Sequence, residues 1–274
     1  MVTKHDYTLE AVEAARSVII ELVHLLGQYR DHIVIIGGWV PYLLFPEQED
    51  SFVGSIDVDL ALNHQSLQEE GYKMIQELLL DRGYKQGKQP FIFFRTLQGK
   101  GKPVTVQVDL LSGEYEGTGD SHRHQKVQDV LARKVRGCDL AFEHPFETTM
   151  AGELPDGGKD AVQIRVASIV PFLVMKGMAL HDRLKEKDAW DIYYCVKNYP
   201  EGLDAIISEF KPYLDNSMVQ EGLQKIADKF KTENHIGPSH VAAFEDVGDP
   251  EEAEMLKRDV FERIQYLLSA LNIE

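Results

Sequence analysis

Two aspartates separated by one residue are the first feature of this 274-residue sequence that could do chemistry. Asp57 and Asp59 lie in the segment SIDVDLAL, where polar and apolar residues alternate. A strand directs successive side chains to opposite faces, so both carboxylates are expected on one face and Ile56, Val58 and Leu60 on the other. Because the second face is apolar, the pair should lie at the edge of a core, where a metal ion is the natural partner.

A third carboxylate is expected on a neighbouring strand. In PVTVQVDLL three valines alternate with polar residues, which puts Asp109 on the polar face. Oxygen ligands of high charge density suit Mg²⁺ or Mn²⁺, and two such ions about 3.5–4 Å apart can hold phosphates and activate an attacking hydroxyl. Asp57, Asp59 and Asp109 are therefore predicted as catalytic residues and as the ligands of two divalent ions.

A glycine turn precedes these aspartates in the sequence. The apolar run HIVIIGG predicts a buried strand that ends at Gly37 and Gly38, and WVPYLLF predicts a short helix after it. Glycines let the backbone approach a phosphate closely, and a helix that begins at Trp39 offers free N–H groups to an anion. A nucleoside triphosphate is thus expected between the turn and the aspartates.

Helical spacing of apolar residues predicts the helices around these strands. One covers residues 8–30 with Thr8 as its N-cap, and another covers residues 65–82 with Gly83 after its end. A further short helix is predicted over residues 127–133, within a polar stretch whose pattern is otherwise ambiguous.

Paired strand patterns and a change of composition predict the domain organisation. PFIFFRTL and PVTVQVDLL flank a glycine-rich turn, and FETTMAGEL and AVQIRVAS flank PDGGK, so two β-hairpins are expected. From Ser168 onward the pattern is helical. The prediction is an α+β chain with a mixed-sheet core over residues 1–167 and a helical C-terminal domain over residues 168–274.

Composition limits the class of protein. The sequence has 45 acidic and 29 basic residues and a formal net charge of −16, which argues against broad non-specific binding to nucleic acid. It has no apolar run of about 18 residues for a membrane span, no signal peptide, and only two cysteines, which are far apart. These features predict a cytoplasmic protein without a membrane partner.

Two runs of basic residues are an exception to the acidic composition. The runs consist of Arg82, Lys85, Lys88, Arg95, Lys100 and Lys102, and of Arg123, Lys126, Arg133, Lys134 and Arg136. Such runs are usually solvated faces, but both flank the strands of the predicted site. A polyanionic acceptor such as RNA therefore stays among the alternatives.

Three motifs resemble the minimal nucleotidyltransferases of the DNA polymerase β superfamily. They are GGW at residues 37–39, SIDVD at 55–59 and VDL at 108–110. The resemblance implies a polymerase β-like nucleotidyltransferase core in which the three aspartates bind two divalent metals for transfer of a nucleoside monophosphate. The residues that it assigns to the nucleoside triphosphate are Gly37, Gly38, Trp39 and Ser55. Trp39 stands where the superfamily often has serine, and the connection before Asp57 is longer than usual.

A helical segment adds a second, narrower resemblance. KGMALHDRLKEKDAWD, at residues 176–191, resembles the lysine and K-D-x-x-D pattern of AbiEii-type abortive-infection toxins. The resemblance implies that Lys176, Asp188 and Asp191 contact a nucleotide held in a cleft between the two domains. Snorkelling of the lysine and surface ion pairs of the acids on an amphipathic helix are the alternative.

Together the motifs predict a metal-dependent nucleotidyltransferase that uses an NTP, ATP among them, and a hydroxyl acceptor. RNA, protein and small molecules all fit as the acceptor, and the resemblance adds a phage-defence or toxin–antitoxin setting with a cognate antitoxin as partner. One alternative is a non-catalytic nucleotide-binding or antitoxin-like module. A haloacid-dehalogenase-type phosphatase is less favoured, because that family has threonine or valine where Ala61 stands.

Overall fold

The computed structural model of the protein describes residues 3–46, 53–63, 66–67, 74–98, 102–113, 124–127 and 130–273. Two units divide the chain. The first comprises Tyr7–Leu43 and Gly54–Ser168, and the second comprises Ile169–Glu274 with Met1–Asp6 and Leu44–Val53. The first contains the sheet and the second the C-terminal helices, so the predicted combination of a mixed sheet and a helical C-terminal region is confirmed. Within the described ranges, no helix is long and apolar enough to cross a membrane.

One mixed sheet contains all nine strands found in the described part of the chain. The strands are β1 (Ile33–Ile36), β2 (Asp57–Leu62), β3 (Lys85–Gln86), β4 (Ile92–Leu97), β5 (Val104–Ser112), β6 (His124–Val127), β7 (Val130–Lys134), β8 (Phe146–Glu153) and β9 (Lys159–Val166). Their order is β3-β4-β5-β2-β1-β9-β8, with β7 paired to the end of β5 and β6 paired to β7. The pairs β2–β5, β1–β9 and β5–β7 are parallel and the others antiparallel. Both predicted hairpins are confirmed as β4–β5 and β8–β9.

The helices of the sheet unit agree with the predictions in part. They are α1 (Leu9–Leu25), α2 (Val40–Leu44) and α3 (Ile75–Asp81). The Thr8 hydroxyl accepts a hydrogen bond from the Ala11 N–H, which confirms the predicted N-cap, but α1 ends before Gly27 and a 3-10 helix over Gly27–His32 follows. Of the helix predicted over residues 65–82, residues 65 and 68–73 lie outside the described chain. Residues 47–52 of the long connection before β2 also lie outside it.

The helix predicted over residues 127–133 is wrong. Strands β6 and β7 occupy this stretch, joined antiparallel, and the end of β7 pairs with the end of β5 through Leu111 with Arg133 and Ser112 with Lys134. A strand partner some twenty residues earlier decides this conformation, which local periodicity does not contain.

Helix α1 covers one face of the sheet. It packs against β2, β5, β8 and β9, and its buried side chains include Val18 and Ile19. Ile19 lines a small apolar cavity together with Ile35 of β1 and Leu60 of β2, which places Leu60 on the α1 face. Because side chains alternate along a strand, Asp59 lies on the opposite face.

The described part of the second unit contains six α-helices. They are α4 (Ile169–Arg183), α5 (Glu186–Asn198), α6 (Leu203–Phe210), α7 (Ser217–Lys229), α8 (Ile236–Glu245) and α9 (Pro250–Ala270). Helices α4 and α7 approach closely at two glycines: a Cβ atom at Gly177 would overlap the Gly222 carbonyl oxygen and lie 2.9 Å from Ile226 Cγ1. This contact holds α4, which carries Lys176, against the body of its unit.

Candidate active site

The register of β2 and β5 brings the strand-borne aspartates together. Asp59 is paired with Asp109 and Asp57 with Gln107 on these parallel neighbours. Paired residues of adjacent strands project to the same face, and the strands lie about 4.8 Å apart. All four residues are partly exposed whereas the intervening Val58 is fully buried. The shared face predicted for the three aspartates is therefore confirmed, and their catalytic role stays a prediction.

The glycine turn lies directly against one of these carboxylates. β1 pairs antiparallel with β2 so that Ile36 is opposite Asp59, and the next residue is Gly37. Gly37 has a φ of +71°, which favours glycine. A Cβ atom there would overlap Asp59 Oδ2 and lie 2.8 Å from its Cγ. The close approach and the backbone conformation thus both require glycine at this position.

Trp39 joins the glycine turn to the start of β2. The turn residues Gly37–Trp39 form a single 3-10 turn that continues into the five residues of α2. The Trp39 side chain is fully buried, and its indole N–H donates to the Asp57 carbonyl oxygen at 2.9 Å. Tyr42 packs edge-on against the indole with ring centroids 5.4 Å apart. Trp39 therefore supports the backbone of Asp57, and its predicted contact with nucleotide stays a prediction.

Two neighbouring side chains orient the carboxylates. The Ser55 hydroxyl donates to Asp57 Oδ1 at 2.6 Å, and the Gln107 amide donates to Asp109 Oδ1 at 2.8 Å. Ser55 is buried, whereas Asp57 is partly exposed, so the bond joins the core to the edge of the site. The sequence reasoning missed Gln107, although the alternation that put Asp109 on the polar face puts Gln107 there as well.

The three strand aspartates suit a divalent ion in two respects: their ligand atoms are all oxygens, and they lie on one face of two adjacent strands. The carboxylates of Asp57, Asp59 and Asp109 on one face of adjacent strands form an all-oxygen set, as Mg²⁺ and Mn²⁺ prefer. As the side chains stand, no group of three or more His, Cys, Asp or Glu residues in the described chain is gathered to hold a metal. Asp57 and Asp109 each accept a hydrogen bond through Oδ1, from Ser55 and Gln107, and carboxylates that ligate a metal ion are commonly hydrogen-bonded in this way.

A 3-10 helix over Cys138–Phe142 brings Asp139 to the face of the sheet that carries the three strand aspartates. It packs against β1, β2 and β5. A Cβ atom at Gly113, four residues after Asp109, would overlap the Asp139 carboxylate. Burial, and then the charges of Asp139 and Asp59, raise the pKa of the Cys138 thiol. The sequence offered no signal for this arrangement, since Asp139 lies in the stretch that was ambiguous.

Lys176, Asp188 and Asp191 come together within the helical unit. All three are buried, with exposed fractions of 8%, 1% and 0%. Lys176 Nζ donates to Asp188 Oδ1 at 2.9 Å and lies 2.6 Å from Asp191 Oδ2. Arg183 donates to Asp188 at 2.7 Å, and Lys187 donates to Asp191 at 2.7 Å. The alternative of surface ion pairs is therefore wrong for these residues, because the pairs are buried.

Within this buried cluster, the partners of Lys176 and Asp188 favour the charged form of both side chains. Burial by itself lowers the pKa of Lys176, but the carboxylates of Asp188 and Asp191 outweigh burial and raise it. Burial likewise raises the pKa of Asp188, and the charges and hydrogen bonds of Lys176 and Arg183 outweigh it and lower the pKa. Lys176, Arg183 and Lys187 thus place their cations against the carboxylates of Asp188 and Asp191.

Part of the first basic run is engaged in a buried contact. Arg82 and Arg95 both donate to the Glu21 carboxylate of α1, at 2.7 and 2.8 Å, and the Tyr84 hydroxyl donates to it at 2.8 Å. Glu21 is 2% exposed. Lys100 and Arg123 lie outside the described residues. Arg82 and Arg95 therefore stabilise the fold through Glu21, which reduces the basic surface available to an RNA acceptor.

Comparison with known proteins gives two structural likenesses. No family model and no curated protein matches the sequence. The crystal structure of JHP933 from Helicobacter pylori has a TM-score of 0.44 at 13% sequence identity, covering 97% of this chain and 94% of that chain. The crystal structure of a candidate nucleotidyltransferase from H. pylori has a TM-score of 0.43 at 12% identity, covering 97% of both chains.

Proposed function

We propose that the protein is a metal-dependent nucleotidyltransferase that transfers a nucleoside monophosphate from an NTP to a hydroxyl acceptor, with pyrophosphate as the leaving group. The observation that carries the proposal is the parallel pairing of Asp59 with Asp109, with Asp57 two residues earlier on the same face. The glycine turn supports the proposal, because Gly37 lies so close to Asp59 that an added Cβ atom would overlap the carboxylate oxygen Oδ2. Oxygen ligands and an adjacent tight backbone turn suit phosphates with their divalent ions.

Each residue at the site has a role in this proposal. Asp57 and Asp59 would hold both Mg²⁺ or Mn²⁺ ions, and Asp109 would hold one of them. When bound, the ions would neutralise phosphate charge and favour ionisation of the acceptor hydroxyl. Asp109 would also orient that hydroxyl and accept its proton. Gly37 and Gly38 would let the backbone approach the triphosphate.

The helical unit enters the proposal through its buried cluster. Lys176 would contact a phosphate or base of the nucleotide, with Asp188 and Asp191 holding the lysine charged and in place. The charged state of Lys176 supports this role, because Asp188 and Asp191 raise the pKa of its ammonium group. The abortive-infection setting, a cognate antitoxin and the choice of ATP belong to the same proposal and are supported by the sequence resemblance alone. RNA, protein and small molecules remain the acceptor classes.

The test is transfer of label from each NTP, with Mg²⁺ or Mn²⁺, into the RNA, protein and small-molecule fractions of a cell extract. Label in one fraction identifies the acceptor class. Asp59→Asn and Asp109→Asn should each abolish transfer without lowering the unfolding midpoint by more than a few degrees. Asp228→Asn, at a partly exposed position of α7 where the carboxylate pairs with Lys231, is the matched control and should transfer normally. Full turnover in an Asp59→Asn, Asp109→Asn double variant would exclude this mechanism.

A non-catalytic nucleotide-binding module is the second candidate. The observation that favours it is that Asp57 and Asp109 accept hydrogen bonds from Ser55 and Gln107 rather than gathering around a common point. Thermal unfolding with each NTP plus Mg²⁺, compared with Mg²⁺ alone, separates binding from its absence. Stabilisation by an NTP without transfer of label would support the module over the enzyme.

A further inference from the structure

Strand β4 lies next to Asp109 on the side away from the glycine turn. The central strands follow the order β4-β5-β2-β1, and the turn at Gly37 directly follows β1. Ile92 of β4 is paired with Asp109 of β5, so both side chains project to the same face of the sheet. On this face Asp109 therefore has Asp59 and the glycine turn on one side and β4 on the other.

Side chains of β4 come close to Asp109. Leu110 N–H donates to the Phe91 carbonyl oxygen at 2.9 Å, so these two residues form a hydrogen-bonded pair. Ile92 and Asp109 are then the adjoining non-hydrogen-bonded pair, in which the Cα atoms are about 4.5 Å apart and the side chains are closest. Apolar surface therefore begins immediately beside the Asp109 carboxylate.

Phe94 continues this apolar surface along β4. It is paired with Gln107 and lies on the same face as Ile92, and both apolar side chains are partly exposed. A Cβ atom at Gly87 would lie 3.0 Å from Phe94 Cε2 and 3.5 Å from Ile92 Cβ, so the glycine leaves room for the phenyl ring beside the isoleucine. The side chains of Ile92 and Phe94 together form an apolar shelf.

Exposed basic residues lie on two sides of the apolar shelf. Lys85 of β3 is paired with Phe94, and Arg133 of β7 is paired with Leu111, two residues after Asp109 on β5. Both basic residues are exposed and project to the face that carries the shelf. Their charges attract an acceptor with acidic groups and repel a polycationic one.

We propose that the apolar shelf binds a tyrosine side chain of an acidic protein segment, whose phenolic hydroxyl is the acceptor; the inference rests on the proposed nucleotidyl transfer. In-line displacement places the attacking and leaving groups on opposite sides of the α-phosphorus. Since the glycine turn holds the triphosphate beside Asp59, the acceptor approaches from β4. The phenolic oxygen bonds to the α-phosphorus and its proton passes to Asp109. The bond from this phosphorus to the bridging oxygen breaks, and pyrophosphate leaves with the bonding electrons.

The position of the shelf favours a phenol over other hydroxyls. Ile92 is level with Asp109, so a bound acceptor meets apolar surface next to its reacting oxygen. In tyrosine an apolar ring begins at the carbon that carries the hydroxyl, whereas the hydroxyls of ribose and other sugars have polar neighbours. Serine and threonine have no ring to cover the shelf, and a ring packed on Phe94 gains more than its buried area alone.

Transfer of label from each NTP, with Mg²⁺ or Mn²⁺, to the proteins of a cell extract tests the acceptor. Mass spectrometry of the labelled peptides should find the nucleoside monophosphate on tyrosine. Label on serine or threonine, in RNA or in small molecules would overturn the assignment of tyrosine and leave the proposed function standing. An absence of label from every fraction would overturn both.

Variants of the shelf are tested with a synthetic peptide that has one tyrosine between glutamates. Phe94→Ala should raise the KM for this peptide about 2- to 12-fold and leave the KM for the NTP unchanged. Phe94→Tyr keeps the ring and should retain the wild-type values. Thr96→Ala, at the next and exposed position of β4 on the same face, is the matched control and should change neither constant.

Charge reversal at Lys85 tests the acidic setting of the tyrosine. Lys85→Glu, at an exposed position, should raise the KM for the glutamate peptide about 2- to 5-fold and leave the KM for a peptide with glutamines in their place unchanged. An unchanged peptide KM in Phe94→Ala, or an equal rise in its peptide and NTP constants, would overturn the inference. Equal labelling of the tyrosine peptide and its phenylalanine counterpart by the wild-type protein would do the same.

Discussion

Substitution of Gly37 by alanine tests the contact between the glycine turn and the carboxylates. The new methyl group would overlap Asp59 Oδ2, and it would lie 2.8 Å from Cγ and 3.0 Å from Cβ of the same side chain. Rotation of the carboxylate alone removes the first overlap but not the last, because the Asp59 Cβ belongs to a strand. The backbone of the turn or of β2 must therefore shift.

The expected loss of stability has two parts. A non-glycine residue at a φ of +71° costs about 1–2 kcal/mol. Overpacking against Asp59 adds about 1–3 kcal/mol, typical of an extra methyl group in a well-packed site. The sum is about 2–5 kcal/mol, and the displaced Asp59 should also lose its place beside Asp109.

Urea unfolding and label transfer measure these two consequences. Gly157→Ala is the matched control in the same unit. Gly157 also has a positive φ, of +92°, but a Cβ atom there would lie 3.8 Å from its nearest neighbour, Glu153 Oε1. It should lose only the conformational part, about 1–2 kcal/mol, and keep transfer activity. Equal losses in the two variants, with equal activity, would refute the close packing of the turn against Asp59.

Three further substitutions probe buried polar contacts. Glu21→Gln should cost about 2–4 kcal/mol in urea unfolding, since Arg82 and Arg95 lose a charged partner. Burial alone would raise the pKa of Glu21, but hydrogen bonds from Arg95 and its neighbours outweigh burial and lower it. The stability that Glu21 contributes is therefore present above about pH 4.3 and is lost as the pH falls through the folded-state pKa. The stability of the glutamine variant should accordingly depend less on acid pH than that of the wild type. Lys176→Met should cost about 3–5 kcal/mol because two buried carboxylates lose a cation, whereas the exposed control Lys231→Met should change stability by less than about 0.5 kcal/mol. Trp39→Phe removes the bond to the Asp57 carbonyl and should cost about 1 kcal/mol by thermal unfolding and reduce transfer; unchanged stability and transfer would count against a supporting role for the indole.

Local patterns in the sequence determined much of the fold and half of the site. Alternation along SIDVDLAL and PVTVQVDLL assigned the three aspartates to polar strand faces, and the structure places them so. Thr8 predicted the start of α1 because an N-cap bonds to a backbone N–H only three residues ahead. Each of these features depends on contacts within a few residues, which a single sequence contains.

Tertiary pairing decided the remainder. Asp59 and Asp109 are neighbours only because β2 and β5, fifty residues apart in sequence, pair in one particular register. The same pairing placed Gln107 beside Asp57. Other tertiary contacts gave residues 130–134 a strand partner in β5 and brought Asp139 against Gly113. Packing of the helices in the second unit buried Lys176, Asp188 and Asp191, which on a helical pattern alone look like surface ion pairs. The physical reason is that strand register and burial depend on partners distant in the chain, whereas periodicity reports only which face of an element a residue occupies.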